Sequence, residues 1–200
     1  MTQKTIEYYL APQSPWTYFG HARLVALAKK YNATIKIKPM DLGKIFPLSG
    51  GLPLPKRAPQ RQSYRLTELA RFRDHLQMPL HVQPQYFPVA GDPAARVITT
   101  VREADGQTAA VTFAGKVLAG VWAEERNIAD VDTLKIMLAE CGLPASRYDE
   151  SLTDAVQAHY DADTQSAIDL QVFGSPSYVV DGELFWGQDR LEFVEQKLQK

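Results

Sequence analysis

Patterns typical of β-strands occur only near the two ends of this 200-residue chain. Residues 5–10 and 34–39 have strand character, and a helical pattern begins between them after Ser14. Near the other end, an Asp-Gly pair at 181–182 predicts a two-residue hairpin turn between two short strands, and a helical pattern follows it. This order forms one mixed sheet only if the two ends of the chain meet across the segment that separates them.

The middle of the chain shows helical periodicity and no convincing strand. The predicted helices lie at about 62–77, 93–104, 108–124, 130–141 and 149–172. Before them, residues 48–61, "LSGGLPLPKRAPQR", are rich in Gly, Pro and basic residues, which predicts a long loop. We therefore predict an α/β fold with one discontinuous domain, residues 1–45 and 170–200, and a helical insertion domain at 60–170.

Composition and charge exclude several classes of function. The formal net charge of −1 leaves no overall basic surface for nucleic acid, and no apolar run is long enough to span a bilayer. Cys141 is the only cysteine, so no intrachain disulfide can form, and the N-terminus has no signal-peptide pattern. We therefore expect a cytoplasmic location. The histidines are scattered and no Cys/His cluster has metal-ligand spacing, so we expect no metal site.

The stretch "YYLAPQSPWTYFG" at residues 8–20 places Ser14 where a predicted strand turns into a helix. Serine is a favoured N-cap residue, and Pro15 suits the first helical position because its missing N–H has no partner there in any case. On these grounds alone, Ser14 is most simply the cap of the helix. Many folds also place a reactive residue at such a turn, so a chemical role stays open.

Two segments together resemble a known family. "SPWT" at 14–17 stands where DsbA-type oxidoreductases carry Cys-x-x-Cys, and "GSP" at 174–176 stands where they carry a cis-proline loop. With serine in place of cysteine, the chain resembles the serine branch of that superfamily, the kappa-class glutathione transferases and the 2-hydroxychromene-2-carboxylate isomerases. "VFGSPSYVVDGELFWGQDRL" at 172–191 extends the resemblance, and its tryptophan favours the isomerases. The implied fold is a thioredoxin-like mixed sheet, β-α-β followed by β-β-α, with a large DsbA-like helical insertion.

The resemblance implies glutathione as a cofactor that acts as a nucleophile. Ser14 would donate a hydrogen bond to the glutathione sulfur and stabilise its thiolate, assisted by the helix dipole. Ser175 and Pro176 would pair with the cysteinyl backbone of glutathione, as an extended peptide pairs with a strand edge. Gln188 and Asp189 would hold the γ-glutamyl end.

Simpler alternatives exist for these residues. Pro176 could be an ordinary loop proline, because most X-Pro bonds are trans. Asp189 could cap the last helix, with Glu192 completing a capping box. The aromatic residues near these segments could belong to the core or form walls for an aromatic substrate. These residues are Trp16, Tyr18, Tyr86 and Phe87.

The basic loop at 48–61 has two interpretations as well. Lys56 or Arg57 would reach over the cleft and bind the glycyl carboxylate of glutathione or a carboxylate of the substrate. The alternative is a solvated basic surface. Its residues are Lys56, Arg57, Arg61 and the nearby Arg65. The family often has an asparagine near residues 50–51 of this loop, and this chain has two glycines there.

The resemblance leads to one main functional hypothesis and two alternatives. The main hypothesis is a glutathione-dependent isomerase of the 2-hydroxychromene-2-carboxylate type, a homodimer by family analogy, which acts on a small aromatic substrate in bacterial degradation of aromatic compounds. The first alternative is a kappa-like transferase that conjugates glutathione to an electrophile. The second is a non-catalytic, peptide-binding DsbA-like protein. A dithiol oxidoreductase is excluded because the required pair of cysteines is absent.

Overall fold

The computed structural model describes residues 3–200. The strands are β1 Thr5–Leu10, β2 Thr34–Pro39, β3 Ser177–Val180 and β4 Glu183–Trp186. The α-helices are α1 Pro15–Lys30, α2 Leu42–Ser49, α3 Pro59–Leu76, α4 Asp92–Asp105, α5 Gln107–Trp122, α6 Val131–Glu140, α7 Ser146–Glu150, α8 Asp154–Asp169 and α9 Leu191–Leu198. Short 3-10 helices lie at Leu54–Lys56 and Gln188–Arg190.

The four strands form one mixed sheet in the order β2-β1-β3-β4. β1 runs parallel to β2 and antiparallel to β3, and β3 and β4 form the hairpin. Ile6 of β1 therefore has Ile35 on one side and Val180 on the other. The two ends of the chain meet in one sheet, and the predicted thioredoxin-like fold with a helical insertion is confirmed.

β1 is buried on both faces of the sheet. Successive side chains of a strand point to opposite faces. Tyr8 and Leu10 accordingly join the main hydrophobic cluster, whereas Tyr9 joins a smaller cluster with Val179 on the other face. The main cluster continues into α4, α5 and α6, so these insertion helices share a core with the sheet. The division into residues 1–45 with 170–200 and residues 60–170 stays a prediction.

Two predicted segments differ from the structure. The loop predicted at 48–61 is shorter, because α2 extends to Ser49 and α3 begins at Pro59, with a 3-10 helix between them. The helix predicted at 149–172 is two helices, α7 and α8. Thr153 separates them because its side chain caps the N-terminus of α8.

A buried histidine on α1 connects the sheet to α5. The Nε2 atom of His21 lies 3.0 Å from the carbonyl oxygen of Val111, and its Nδ1 atom lies 3.3 Å from the hydroxyl of Tyr8. A carbonyl only accepts, so Nε2 carries the proton and Nδ1 accepts from the tyrosine. Burial lowers the pKa of His21 from its ordinary value of 6.5 to about 4.

This low pKa predicts a loss of stability in mild acid. Between pH 6.5 and pH 4 the unfolded chain protonates His21 and the folded chain does not, so stability falls as the pH falls through this window. From pH 7 to pH 5 the unfolding free energy should drop by about 2 kcal/mol more in the wild type than in His21→Gln. Denaturant unfolding at the two pH values measures this difference.

The control variant is His159→Gln, which changes an exposed histidine. It should keep the pH dependence of the wild type. Equal pH dependence in His21→Gln and the wild type would contradict the assignment of the neutral, buried imidazole.

Candidate active site

Ser14 lies at the N-terminus of α1, just after the end of the central strand. Its backbone N–H donates to the carbonyl oxygen of Ala11 at 3.0 Å, and its side-chain oxygen accepts from the N–H of Thr17 at 3.2 Å. The predicted N-cap is therefore confirmed, with Pro15 as the first helical residue. Ser14 is largely buried, which places a hydroxyl at the positive end of the helix dipole and away from bulk water.

The loop before β3 is bonded to this helix start. The peptide bond between Ser175 and Pro176 is cis, so an ordinary trans loop proline is ruled out. The side-chain oxygen of Ser175 accepts from the N–H of Ala11 at 2.8 Å and lies 2.7 Å from the hydroxyl oxygen of Thr17. The hydroxyl of Ser14 donates to the carbonyl oxygen of Ser175 at 3.3 Å. The two segments identified by the family resemblance are therefore in direct contact.

A third segment joins them through Gly187. Its N–H donates to the carbonyl oxygen of Pro176 at 2.9 Å, which brings the following 3-10 helix next to the cis-proline loop. Gln188 is buried, and its side-chain oxygen accepts from a guanidinium N–H of Arg23 at 2.6 Å. α1 approaches closely here, because a Cβ on Gly20 would lie 3.1 Å from the Cβ of Gln188.

The suggested capping role of Asp189 is wrong. α9 begins at Leu191, and no side chain caps its N-terminus. Asp189 lies instead within the preceding 3-10 helix, with a half-exposed carboxylate that pairs with its neighbour Arg190. An exposed ion pair contributes little to stability, so this carboxylate can exchange its partner for a bound cation at small cost.

Lys56 is not brought to the other predicted site residues by any described contact. It is exposed at the end of the 3-10 helix in the basic loop, and its side chain makes no hydrogen bond or ion pair within residues 3–200. Arg57 is partly buried and donates to the carbonyl oxygen of Leu52 at 2.8 Å. Arg65 is buried on α3, so a solvated surface is wrong for this residue.

The predicted aromatic residues belong to the main core cluster or pack against it, except for Tyr86, which is exposed. Trp16 is partly buried and meets the ring of Phe72 edge-on, with 5.9 Å between ring centroids. The hydroxyl of Tyr18 donates to the carbonyl oxygen of Pro79, which ties it to the structure. Phe87 packs on Trp122 at 4.8 Å. Only Trp16 follows Ser14 closely in sequence and keeps part of its surface open.

Two polar contacts in this region were not predicted from the sequence. Thr17 looked like an ordinary helix residue, and only the chain reversal that brings Ser175 to α1 explains its buried hydroxyl. Arg23 likewise resembled one of many helix-surface cations, although it holds Gln188. Thr17 lies one turn after Ser14 on the same face of the helix, and this spacing is the sequence feature that could have identified it.

The residues around Ser14 fit a peptide ligand. The side-chain oxygen of Gln13 is buried and has no hydrogen-bond donor within residues 3–200. It lies against Gly91, where a Cβ would stand only 2.0 Å from that oxygen. Amide and ammonium N–H groups, which glutathione carries, are the donors that such an oxygen takes.

Other kinds of site are not found near Ser14 in residues 3–200. No group of three or more His, Cys, Asp or Glu side chains in that range could hold a metal ion. None of the helices there combines the length and apolar character needed to cross a bilayer. A surface depression of about 430 Å³ lies between β4 and α9 and is lined by residues such as Trp186 and Phe193.

Comparison with known proteins identifies the family of this chain. The family model of the DSBA-like thioredoxin domain matches residues 5–199, so the chain belongs to this family. Within it, the chain is 27% identical to the 2-hydroxychromene-2-carboxylate isomerase of Pseudomonas putida over 197 residues, which cover 96% of this chain and 93% of that protein. Glutathione S-transferase kappa 1 of Homo sapiens is 23% identical over 206 residues, with 98% and 91% covered.

A solved structure of a 2-hydroxychromene-2-carboxylate isomerase has the same fold. Its TM-score to this chain is 0.83 at 24% sequence identity, and the match covers 98% of this chain and 94% of the other. The resemblance inferred from the segments around Ser14 and Pro176 is therefore confirmed.

The hydroxyl of Ser175 should matter for stability. Ser175→Ala removes the acceptor of the buried Ala11 N–H and the partner of the buried Thr17 hydroxyl. An unsatisfied buried polar group costs about 1–3 kcal/mol, so the unfolding free energy should fall by that amount in urea titrations. The exposed Ser63→Ala should stay close to the wild type. A Ser175→Ala protein as stable as Ser63→Ala would show that the bridge contributes nothing.

Proposed function

We propose that this protein is a glutathione-dependent isomerase that acts on 2-hydroxychromene-2-carboxylate or a close relative of it. The observation that carries the proposal is the Ser14 hydroxyl, held at the N-terminus of α1 and against the loop of Ser175 and cis-Pro176. The isomerase of Pseudomonas putida, similar over nearly the whole length, supports the same assignment.

Bound glutathione would supply a thiol that adds reversibly to a conjugated double bond, so that the bond can rotate before the thiol leaves. The task of Ser14 is to hold negative charge on sulfur. Its donated hydrogen bond to Ser175 spans 3.3 Å, long for an O–H···O contact, so turning the hydroxyl toward sulfur sacrifices little. The N-terminus of α1 adds a favourable potential, and a serine cannot trap glutathione as a mixed disulfide.

The neighbouring segments would hold the rest of glutathione. Ser175 and Pro176 bind its cysteinyl backbone. Asp189 binds the γ-glutamyl ammonium, since its carboxylate is half-exposed and has only a weak surface partner. The side-chain oxygen and the backbone carbonyl oxygen of Gln188 both accept from Arg23, so Gln188 contributes through its backbone N–H and through its fixed position. Lys56 reaches the glycyl carboxylate from the basic loop.

A kappa-like transferase is the second candidate, favoured by the similarity to glutathione S-transferase kappa 1. The two reactions use the same groups and differ in stoichiometry, because conjugation consumes the thiol and isomerisation returns it.

The main proposal also includes a role in bacterial degradation of aromatic compounds, a cytoplasmic location and a homodimer.

Replacing Ser14 tests the catalytic part of the proposal. Ser14→Ala removes a hydrogen bond to a charged sulfur, worth about 1.5–3 kcal/mol, so the glutathione-dependent rate should fall roughly tenfold to hundredfold. The lost cap should lower stability by only about 1 kcal/mol. The assay follows 2-hydroxychromene-2-carboxylate by absorbance and titrates the free thiol in parallel.

Ser63→Ala, an exposed serine on α3, serves as the control and should keep the full rate. A constant thiol concentration supports isomerisation, and its stoichiometric loss supports the transferase. An unchanged rate in Ser14→Ala would remove Ser14 from the mechanism.

Binding of glutathione itself tests Asp189. Calorimetry should show saturable binding by the wild type and an affinity about tenfold weaker in Asp189→Ala, because a charge-assisted contact to the ammonium is lost. Asp132→Ala removes an exposed carboxylate on α6 and should bind like the wild type. If the wild type binds no glutathione, both enzyme functions fail and a peptide-binding protein is left.

A further inference from the structure

Arg65 is a buried cation without a counter-ion. Only 8% of its surface is exposed, yet its side chain makes no ion pair or hydrogen bond within residues 3–200, and its Nη2 atom is buried without an acceptor. The guanidinium lies over the rings of Phe87 and Trp122, at 5.0 and 5.7 Å from their centroids. We call these three residues the Arg65 cluster. A buried charge normally requires a partner, since its desolvation is unfavourable.

The surroundings of the cluster are positive and rich in donors. Burial, and then the nearby charge of Arg57, lower the pKa of Arg65 to about 10, so the guanidinium still carries its charge at neutral pH. The indole N–H of Trp122 is a second buried donor without an acceptor in the described residues. The region therefore contains two cations, Arg65 and Arg57, and the indole donor of Trp122. No carboxylate side chain is bonded to either arginine within residues 3–200.

Two short chains of residues link the Arg65 cluster to the candidate active site. Along α3, Arg65 lies two turns before Phe72 on the same helix face, and Phe72 contacts Trp16, which follows Ser14 by two residues. Along the chain, Phe87 lies four residues before Gly91, which touches Gln13.

Four extended residues span at most about 14 Å, so Phe87 lies no farther than that from Gly91, which contacts Gln13. The two routes end at Gln13 and Trp16, which flank Ser14 in the sequence. A ligand that extends from Ser14 to Phe87 would bring an anionic end close to Arg65, whose guanidinium lies over the Phe87 ring.

We propose that Arg65 binds the carboxylate of an aromatic substrate, with Phe87 flanking the ring of that substrate. This proposal rests on the proposed function. A guanidinium matches a carboxylate through two parallel N–H···O bonds, and it forms them best where water is excluded. Glutathione also carries a glycyl carboxylate, but the aromatic walls of the Arg65 cluster favour an aromatic acid over a glycine end.

The test compares two stable bicyclic probes that differ only in the carboxylate. Chromone-2-carboxylate and chromone are titrated calorimetrically into the full chain, with and without glutathione, for the wild type, Arg65→Met, Arg65→Lys and Arg71→Met. Arg71 is the matched control, because it is an exposed arginine on the same helix. The quantity measured is the ratio of the two affinities, since general damage to the pocket weakens both probes and leaves the ratio unchanged.

The wild type and Arg71→Met should prefer the carboxylate roughly tenfold to hundredfold, as expected for charge-assisted hydrogen bonds. Arg65→Met should bring the ratio close to one. Arg65→Lys keeps the charge without the planar fork and should give an intermediate ratio, which also tests the proposal if Arg65→Met does not fold.

The contrary outcomes are equally specific. A wild-type ratio near one, or a ratio preserved in Arg65→Met, overturns the proposal. Weaker glutathione binding in Arg65→Met with a preserved ratio also overturns it and assigns Arg65 to the glycyl carboxylate. A preference that depends on Arg65 in a protein that binds no glutathione upholds the carboxylate site and removes the proposed function alone.

Discussion

The Ser175 hydroxyl lies between two parts of the chain that are far apart in sequence. It accepts from the buried N–H of Ala11 and bonds to the buried hydroxyl of Thr17, so it fixes the cis-proline loop against the start of α1. Ser14 can present its hydroxyl to that loop only because this bridge sets the distance between them. The Gly187 N–H then joins the next segment to Pro176, so the segments that carry Ser14, Pro176 and Gln188 are held together.

The sheet makes this assembly possible because β1 is buried on both faces. With Tyr8 and Tyr9 pointing into opposite apolar clusters, β1 cannot slip by one residue without exposing one cluster to water. The loop that follows β1 therefore begins at a fixed point. Gly20 allows α1 to approach β3 closely, since any Cβ there would stand 2.6 Å from the hydroxyl of Tyr178. The position of the helix N-terminus is thus determined by core packing.

Local sequence patterns predicted β1, β2 and most helices, because these segments follow the pattern of their own structure, and the Asp-Gly pair at 181–182 predicted the hairpin. α2 was missed because a glycine and Pro47 lie within its eight residues and hide the helical pattern. The burial of Arg65 was not predictable from a basic loop, because it depends on Phe87 and Trp122, which reach α3 only in the folded chain. Contacts between distant segments, such as those of Thr17 and Arg23, were missed for the same reason.

The same scaffold supports different chemistry when its reactive cysteine becomes a serine. A helix N-terminus stabilises a thiolate wherever that thiolate comes from, whether from the chain or from a ligand. Ser14 contributes no sulfur, and the one cysteine, Cys141, follows α6 with a pKa raised by burial, which makes it a poor nucleophile. In the proposed function, the thiolate held at this site therefore comes from another molecule. Such a thiol can add to a double bond and leave again after each turnover. Reversible addition of this kind is the chemistry of the proposed isomerisation.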